Sequence, residues 1–235
     1  MTNTTVAPLR PRARRRPPTG RLAVFDLDRT LLPGSSLFEL GRVLADRGVI
    51  DRTVVARHAL VAAVFARRGL PDSRIERVRD RVLAASADRD GDQLASVARE
   101  VGVRLASGAH PAARWLIDRH HAAGDVCVVL SASPQELVEA VGAGLGADRS
   151  IGTRVEVVGG RLTGRLDGAF CHGSGKLERL RDELGEVDLD RAVAYADSGS
   201  DLPLLAACGH PVAVNPDRRL RDAAAAGGWP VLRLG

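Results

Sequence analysis

A short apolar run that ends in two aspartates constrains this chain more than any other feature. Residues 22–25 read Leu-Ala-Val-Phe, which is typical of a strand buried on both faces of a parallel sheet. Asp26 and Asp28 follow where such a strand ends, and Pro33 and Gly34 mark the turn that leaves it. Ligands of open α/β sheets bind at the carboxyl ends of strands, so these acids are placed for chemistry, although an Asp-x-Asp turn is often simply solvated.

Two later strands of the same buried type also end in polar turns. Residues 126–130 are followed by Ser-Ala-Ser-Pro, and residues 192–195 are followed by a turn that contains Asp197 and Asp201. Strand patterns alternate with helical patterns along the second half of the chain. This alternation predicts an α/β fold with a doubly wound parallel sheet and right-handed crossovers.

Between the first two strands the chain shows helical periodicity and no strand pattern. Apolar residues recur at three- and four-residue spacing, and breaks at residues 69–71 and 90–91 separate the helical stretches. We therefore predict a helical insertion at residues 35–108. It interrupts an α/β core made of residues 21–34 and 109–235.

Two glycine-containing stretches have their own interpretation. Residues 151–158 and 161–166, joined by two glycines, predict a β-hairpin. The stretch at residues 142–147 matches a dinucleotide-binding fingerprint, but it follows a helix instead of a strand. We interpret it as a helix end.

The basic residues in excess lie at the amino-terminal end of the chain. The formal net charge is +5, and residues 1–20 contain five arginines and no acid. The remaining 29 basic residues equal the 29 acidic ones. The Thr/Pro/Arg-rich composition of residues 1–20 predicts a disordered tail, so the charge indicates no specific nucleic-acid partner. A tail that contacts an anionic surface is the alternative.

The composition argues against several other classes of protein. The hydrophobic fraction of 45% is too high for a disordered chain. No apolar run approaches the length of a membrane span, and no apolar segment follows the amino-terminal arginines as in a secretory signal. Three widely spaced cysteines predict neither a disulfide framework nor a zinc site, and we expect a cytoplasmic location.

If the buried strands are neighbours, their polar ends meet at one edge of the sheet. Four carboxylates gathered there would repel one another, and burial would increase the cost. Mg²⁺ prefers oxygen ligands and would compensate for part of this charge. Lys176 is the only lysine in the chain and would add a compact positive charge. The four acids are Asp26, Asp28, Asp197 and Asp201.

This charge pattern predicts an anion site suited to phosphate. Ser131 and the N–H groups at the start of the following helix would add neutral donors. Each residue also has an ordinary structural explanation. A lone lysine is usually a solvated surface residue, and Ser131 or Asp201 could serve as a helix cap.

The motifs and their order resemble those of the haloacid dehalogenase (HAD) superfamily, in the subfamily IB branch that includes phosphoserine phosphatases. The resemblance covers residues 21–234, and the helical insertion matches the small cap of this branch. Four motifs carry it: Phe-Asp-Leu-Asp-Arg-Thr at residues 25–30, Leu-Ser-Ala-Ser-Pro at 130–134, Lys176, and Tyr-Ala-Asp-Ser-Gly-Ser-Asp at 195–201.

The resemblance implies catalytic roles for two aspartates and a metal site. Asp26 would attack phosphorus and form an aspartyl-phosphate. Asp28 would protonate the leaving alcohol and then deprotonate the attacking water. The side chains of Asp26 and Asp197, with the backbone carbonyl of Asp28, would hold Mg²⁺.

The same resemblance implies binding and supporting roles. Ser131, Ala132 and Lys176 would bind the phosphoryl oxygens. Thr30 would brace the first turn, and Asp201 would orient Lys176 or a metal-bound water. Arg29 is a variant of the first motif to which we assign no role.

These motifs imply a Mg²⁺-dependent phosphomonoesterase that acts on a small phosphorylated metabolite. Ser35 stands where phosphoserine phosphatases carry a glutamate that reads the amino acid, so phosphoserine is not the favoured substrate. Two alternatives remain. One is a phosphotransferase that uses the same aspartyl-phosphate, and the other is a non-catalytic binding protein that uses the arginine-rich tail on a HAD scaffold.

Overall fold

The computed structural model of the protein describes residues 20–50 and 72–234. The predicted tail and the part of the predicted insertion around residues 60–65 lie outside these ranges. The elements in chain order are β1 (Leu22–Asp26), α1 (Ser36–Asp46), α2 (Asp72–Ser86), α3 (Gly91–Ser107), α4 (Pro111–Ala122), β2 (Val126–Pro134), α5 (Gln135–Leu145), β3 (Arg149–Thr153), β4 (Val155–Val158), β5 (Arg161–Leu166), α6 (Gly175–Leu184), β6 (Val193–Ala196), α7 (Leu202–Ala207), β7 (His210–Val214), α8 (Arg218–Gly227) and β8 (Val231–Leu232).

Six strands form one parallel sheet in the order β3-β2-β1-β6-β7-β8. Strand β1 lies between β2 and β6, so the three strands that carry the polar turns are neighbours. Residues 22–25 are at most 2% exposed. A parallel strand with helices on both faces buries both sets of its side chains, which explains the continuous apolar run. The predicted fold class is confirmed.

The helices cover the two faces of the sheet as separate apolar layers. Ala23 and Phe25 face the layer formed by α1, α3, α4 and α5. Leu22 and Val24 face the layer formed by α6, α7 and α8. None of the helices in the described ranges has the length and apolar character that a membrane crossing requires.

Helices α1, α2 and α3 belong to the predicted insertion. The apolar residues of α1 and α3 pack in the same layer as α4 and α5. Helix α3 approaches α5 closely, because a Cβ atom at Gly102 would lie 2.6 Å from the Ala140 Cβ and 2.6 Å from the Leu137 carbonyl oxygen. The division of the chain at residues 35 and 108 remains a prediction.

The predicted hairpin is partly wrong. Residues 151–158 do not form one strand, because β3 pairs in parallel with β2 at the edge of the main sheet. Only β4 pairs with β5, in a separate two-stranded antiparallel sheet. The start of α3 contacts the turn between β4 and β5, since the N–H of Gly91 donates to the Gly160 carbonyl at 2.9 Å. Ile151 of β3 is buried in the core of the main sheet, and this burial stabilises the segment in that sheet.

The close contact between α3 and α5 predicts a cost for any side chain at Gly102. Gly102→Ala should lower the free energy of unfolding by about 1–3 kcal/mol, since the new methyl group overlaps the Leu137 backbone. Urea unfolding measures this loss.

The matched control is Gly108→Ala, where the nearest atom to the new Cβ would be the Leu105 oxygen at 3.7 Å. This variant should be as stable as the parent or slightly more stable, because alanine restricts the unfolded chain. Equal stabilities for the two variants would show that the helices separate freely at Gly102.

Candidate active site

The carboxyl ends of β1, β2 and β6 bring the predicted site residues to one edge of the sheet. Asp26 is in register with Leu130, so Ser131 follows at the same level on β2. Phe25 is in register with Tyr195, so Asp197 emerges beside Asp26. The parallel pairing therefore gathers three motifs that lie more than 60 residues apart along the chain.

Lys176 lies at the centre of the cluster. Its Nζ is 2.6 Å from Asp26 Oδ1 and 2.8 Å from Asp201 Oδ1, and the Lys176 residue is only 2% exposed. Burial by itself lowers the pKa of Lys176, but the adjacent charges of Asp201 and Asp26 outweigh it and raise the pKa above its ordinary value. The ammonium group therefore stays charged. Lys176 is a buried residue that forms an ion pair with Asp201, and the Asp201 side chain does not cap the following helix.

The first turn orients both aspartates of the Asp-x-Asp motif. The Thr30 hydroxyl donates to Asp26 Oδ2 at 3.1 Å, and the Ser36 N–H donates to Asp28 Oδ1 at 2.9 Å. The hydroxyl groups of Ser36 and Ser133 lie 2.7 Å apart, which joins α1 to the second motif. Burial raises the pKa of Asp28 to about 6, and the charge of Asp26 adds to the effect, although the Ser36 hydrogen bonds oppose it. A carboxyl group with this pKa can give and take a proton near neutral pH.

The second motif is held by hydrogen bonds at the end of β2. Ser131 is 2% exposed, and its hydroxyl accepts from the Ser133 N–H at 3.2 Å. The Ala132 carbonyl accepts from the Thr153 hydroxyl at 2.7 Å. Helix α5 begins without a side-chain cap, so Ser131 does not serve as one. The buried Ser131 hydroxyl is therefore held at the sheet edge beside Asp26.

Arg29 forms a contact that the sequence does not single out. Its Nη2 lies 2.9 Å from Asp197 Oδ2, and the Asp197 side chain is 5% exposed. Arg29 adopts the left-handed backbone conformation, with a φ of 59°. This conformation is costly for an arginine and favours glycine. An arginine directly after an Asp-x-Asp motif is the only sequence signal of this ion pair.

The acids fit a divalent cation. Carboxylate oxygens of Asp26, Asp197 and Asp201 all lie within 4.8 Å of one another. Burial raises the pKa of Asp197, and the charge of Asp26 raises it further; burial likewise raises the pKa of Asp201. When all four carboxyl groups of the site are ionised, the two cationic side chains leave a formal charge of −2. An oxygen-rich site that lacks two positive charges suits Mg²⁺.

Comparison with known proteins gives the family. The family model for haloacid dehalogenase-like hydrolases matches residues 23–206. The inhibition of morphological differentiation protein of Streptomyces azureus is 38% identical over 89% of this chain and 77% of its own length. The phosphoserine phosphatase SerB1 of Mycobacterium tuberculosis is 35% identical over 89% of this chain and 69% of its own. A histidinol-phosphatase of Neisseria meningitidis is 32% identical over 91% of this chain and 98% of its own length.

Solved structures share the fold. A Bordetella pertussis protein of unknown function superposes with a TM-score of 0.77 at 31% identity, over 91% of this chain and 98% of that one. A phospho-aspartyl intermediate analogue of phosphoserine phosphatase superposes with a TM-score of 0.65 at 20% identity, over 91% of this chain and 93% of that one. At that identity the likeness concerns the fold alone.

The fold and the cluster of acids around a lysine define a hydrolase built on a parallel sheet. The chain belongs to the haloacid dehalogenase-like hydrolase family. Its relatives include proteins named as phosphatases, and the predicted class of enzyme, a HAD-type phosphatase, is confirmed.

The central lysine predicts a large effect on stability. Lys176→Met should lower the free energy of unfolding in metal-free buffer by about 3–5 kcal/mol, because it leaves buried carboxylates without their counter-charge. The double variant Lys176→Met/Asp201→Asn should regain part of this loss, since one of the unpaired charges is also removed.

Arg47→Met is the control, because Arg47 forms an exposed ion pair with Glu100. Its effect should stay within about 1 kcal/mol. A Lys176→Met variant as stable as the parent would mean that the cluster does not need this ammonium group.

Proposed function

We propose that the protein is a cytoplasmic, Mg²⁺-dependent phosphomonoesterase that hydrolyses a small phosphorylated metabolite through an aspartyl-phosphate on Asp26. The observation that carries this proposal is the buried contact of Lys176 with Asp26 at 2.6 Å, beside Asp197 and Asp201. A nucleophilic carboxylate, a fixed cation and a set of oxygen ligands are the parts that phosphoryl transfer needs.

The phosphoryl group binds between the lysine and the second motif. The Lys176 ammonium group and the Ser131 hydroxyl donate to its oxygens, together with the backbone N–H of Ala132. These donors are held in place before the substrate arrives, because Lys176 and Ser131 are each 2% exposed and packed in the sheet edge. Fixed donors stabilise charge in the transition state without a cost of reorganisation.

The first chemical step forms the covalent intermediate. An Asp26 carboxylate oxygen attacks phosphorus while the bond from phosphorus to the alcohol oxygen breaks. Asp28 gives its proton to that alcohol oxygen, so a neutral alcohol leaves. The raised pKa of Asp28, about 6, supports this role.

The second step returns the enzyme to its starting state. Asp28, now a carboxylate, takes a proton from a water molecule that attacks the phosphorus atom. The bond from phosphorus to Asp26 breaks, inorganic phosphate leaves, and Asp28 holds a proton again. Thr30 holds the Asp26 carboxylate in position through its hydrogen bond to Oδ2.

The ligands for Mg²⁺ would be the side chains of Asp26 and Asp197 and the backbone carbonyl of Asp28. When bound, the ion offsets the negative charge of the acids and of the phosphoryl oxygens. Asp201 keeps Lys176 in position from the opposite side.

The helical insertion at residues 35–108 would act as a cap over the site. Its first helix contacts the first and second motifs, since Ser36 contacts Asp28 through its N–H and Ser133 through its hydroxyl. A cap that closes on the substrate excludes water and contacts the leaving group. The relatives include a protein named as a phosphoserine phosphatase and one named as a histidinol-phosphatase. Their names support hydrolysis of a phosphate monoester but do not favour one substrate.

Removal of the nucleophile tests the proposed function. Asp26→Asn should reduce turnover of para-nitrophenyl phosphate by about three orders of magnitude or more, because the amide cannot form the aspartyl-phosphate. Excess EDTA should abolish turnover by the parent, and added Mg²⁺ should restore it. Release of inorganic phosphate is the readout.

Asp80→Asn is the matched control, since the Asp80 side chain is 63% exposed and lies in α2. It should retain full turnover. Full activity of Asp26→Asn, or of the parent in EDTA, would refute the mechanism. Transfer of phosphate to an added alcohol, with little inorganic phosphate released, would identify a phosphotransferase instead.

A further inference from the structure

A cavity opens beside the acid cluster of the candidate active site, on the side of β6 and β7. Its volume is about 520 Å³, and Asp197 is the site residue that lines it. We call it the arginine pocket, after the cationic side chains in its wall. Its charged lining residues are Arg29, Asp197, Asp217, Arg218 and Arg221.

The acids of the pocket are already engaged. Asp197 pairs with Arg29 at 2.9 Å. The Asp217 carboxylate accepts from the N–H groups of Leu220 and Gly199, at 2.8 and 3.0 Å, and from the Ser198 hydroxyl at 3.2 Å. Arg29 therefore offsets the charge of Asp197, and three neutral donors satisfy the carboxylate of Asp217.

The arginines of α8 remain available for an anion. Arg221 donates from Nη2 to the Pro216 carbonyl at 3.1 Å, which is an uncharged acceptor. Arg218 lies 3.9 Å from Asp222, but both side chains are largely exposed, so this pair is weak. The charged side chains of the wall are three arginines and two aspartates, which leaves one positive charge in excess at a cavity of ligand size.

Arg29 connects this pocket to the reacting groups. Its left-handed backbone would suit glycine, yet an arginine stands there with its guanidinium group against Asp197. Residues held in such backbone conformations cluster at active sites and ligand-binding sites. Arg29 therefore forms the boundary between the phosphoryl site and the arginine pocket.

We propose that the arginine pocket binds a second anionic group of the substrate, a carboxylate or a phosphate carried by its alcohol part. This inference rests on the proposed function and narrows its substrate class to phosphate monoesters with another acidic group. Guanidinium groups match the planar, two-oxygen edge of such anions. Asp197 lines the pocket and also belongs to the acid cluster, so one small molecule can reach both.

Matched pairs of esters test this substrate class. Each pair contains a phosphate monoester with one to three methylene groups that ends in a carboxylate, and the same ester ending in an alcohol. For the best pair, kcat/KM of the parent enzyme should favour the carboxylate about tenfold or more, a difference of about 1.4 kcal/mol. The ratio should fall towards one in Arg218→Gln/Arg221→Gln, mainly through KM.

Arg149→Gln is the matched control, because Arg149 begins β3 at the opposite edge of the sheet. It should keep the parental ratio. Equal use of both esters by the parent, or a preference that survives in the double arginine variant, would overturn the pocket while leaving the phosphatase intact.

A binding measurement separates failure of the pocket from failure of the catalytic proposal. Calorimetry with Asp26→Asn should show tighter binding of the carboxylate ester than of the alcohol ester, and the two arginine substitutions should remove the difference. If no ester is hydrolysed but this preference persists, the catalytic proposal fails and the pocket stands. Sulfate that binds the pocket without displacing the carboxylate ester would show a site for a separate anion and overturn the inference.

Discussion

The contact between one buried ammonium group and the carboxylates around it is the interaction on which this structure depends. Lys176 approaches Asp26 at 2.6 Å and Asp201 at 2.8 Å. Each buried carboxylate costs several kcal/mol of desolvation, and only a close opposite charge offsets that cost. Burial of any one of these side chains therefore requires that three elements pack together, namely β1, α6 and the turn after β6. The packing of these three elements also forms the candidate site, so folding and function depend on the same ion pairs.

The sheet supplies the rigidity that this requirement needs. β1 is buried on both faces and pairs with β2 and β6, so Asp26 and Asp197 leave the sheet side by side. Behind the site, Phe25 stacks on Tyr195 with ring centroids 4.9 Å apart. The Tyr195 hydroxyl lies 2.8 Å from a ring nitrogen of His120, whose other ring nitrogen contacts Asp125 at 2.7 Å. This buried network fixes the strands without using any group of the site.

Lys176 compensates for only part of the negative charge of the site, and this remaining charge accounts for the other cationic groups around it. Arg29 offsets part of it at Asp197, and the acids still lack two positive charges. A divalent cation would complete this balance, and a phosphoryl group would then meet a site whose acids are neutralised. The arginines of α8 add positive charge in the cavity beside the reacting atoms.

The sequence by itself determined the sheet, the order of its motifs and the acids at its edge. The apolar run at residues 22–25 predicted a strand buried on both faces, and Lys176 was a candidate site residue because it is the only lysine in the chain. The tertiary structure decided which strands pair and which distant side chains meet. The apolar pattern could not assign Ile151 to the main sheet, because strands of both sheets share a period of two. The contacts Arg29–Asp197 and Ser36–Ser133 join residues 168 and 97 positions apart, and no local pattern encodes such distances.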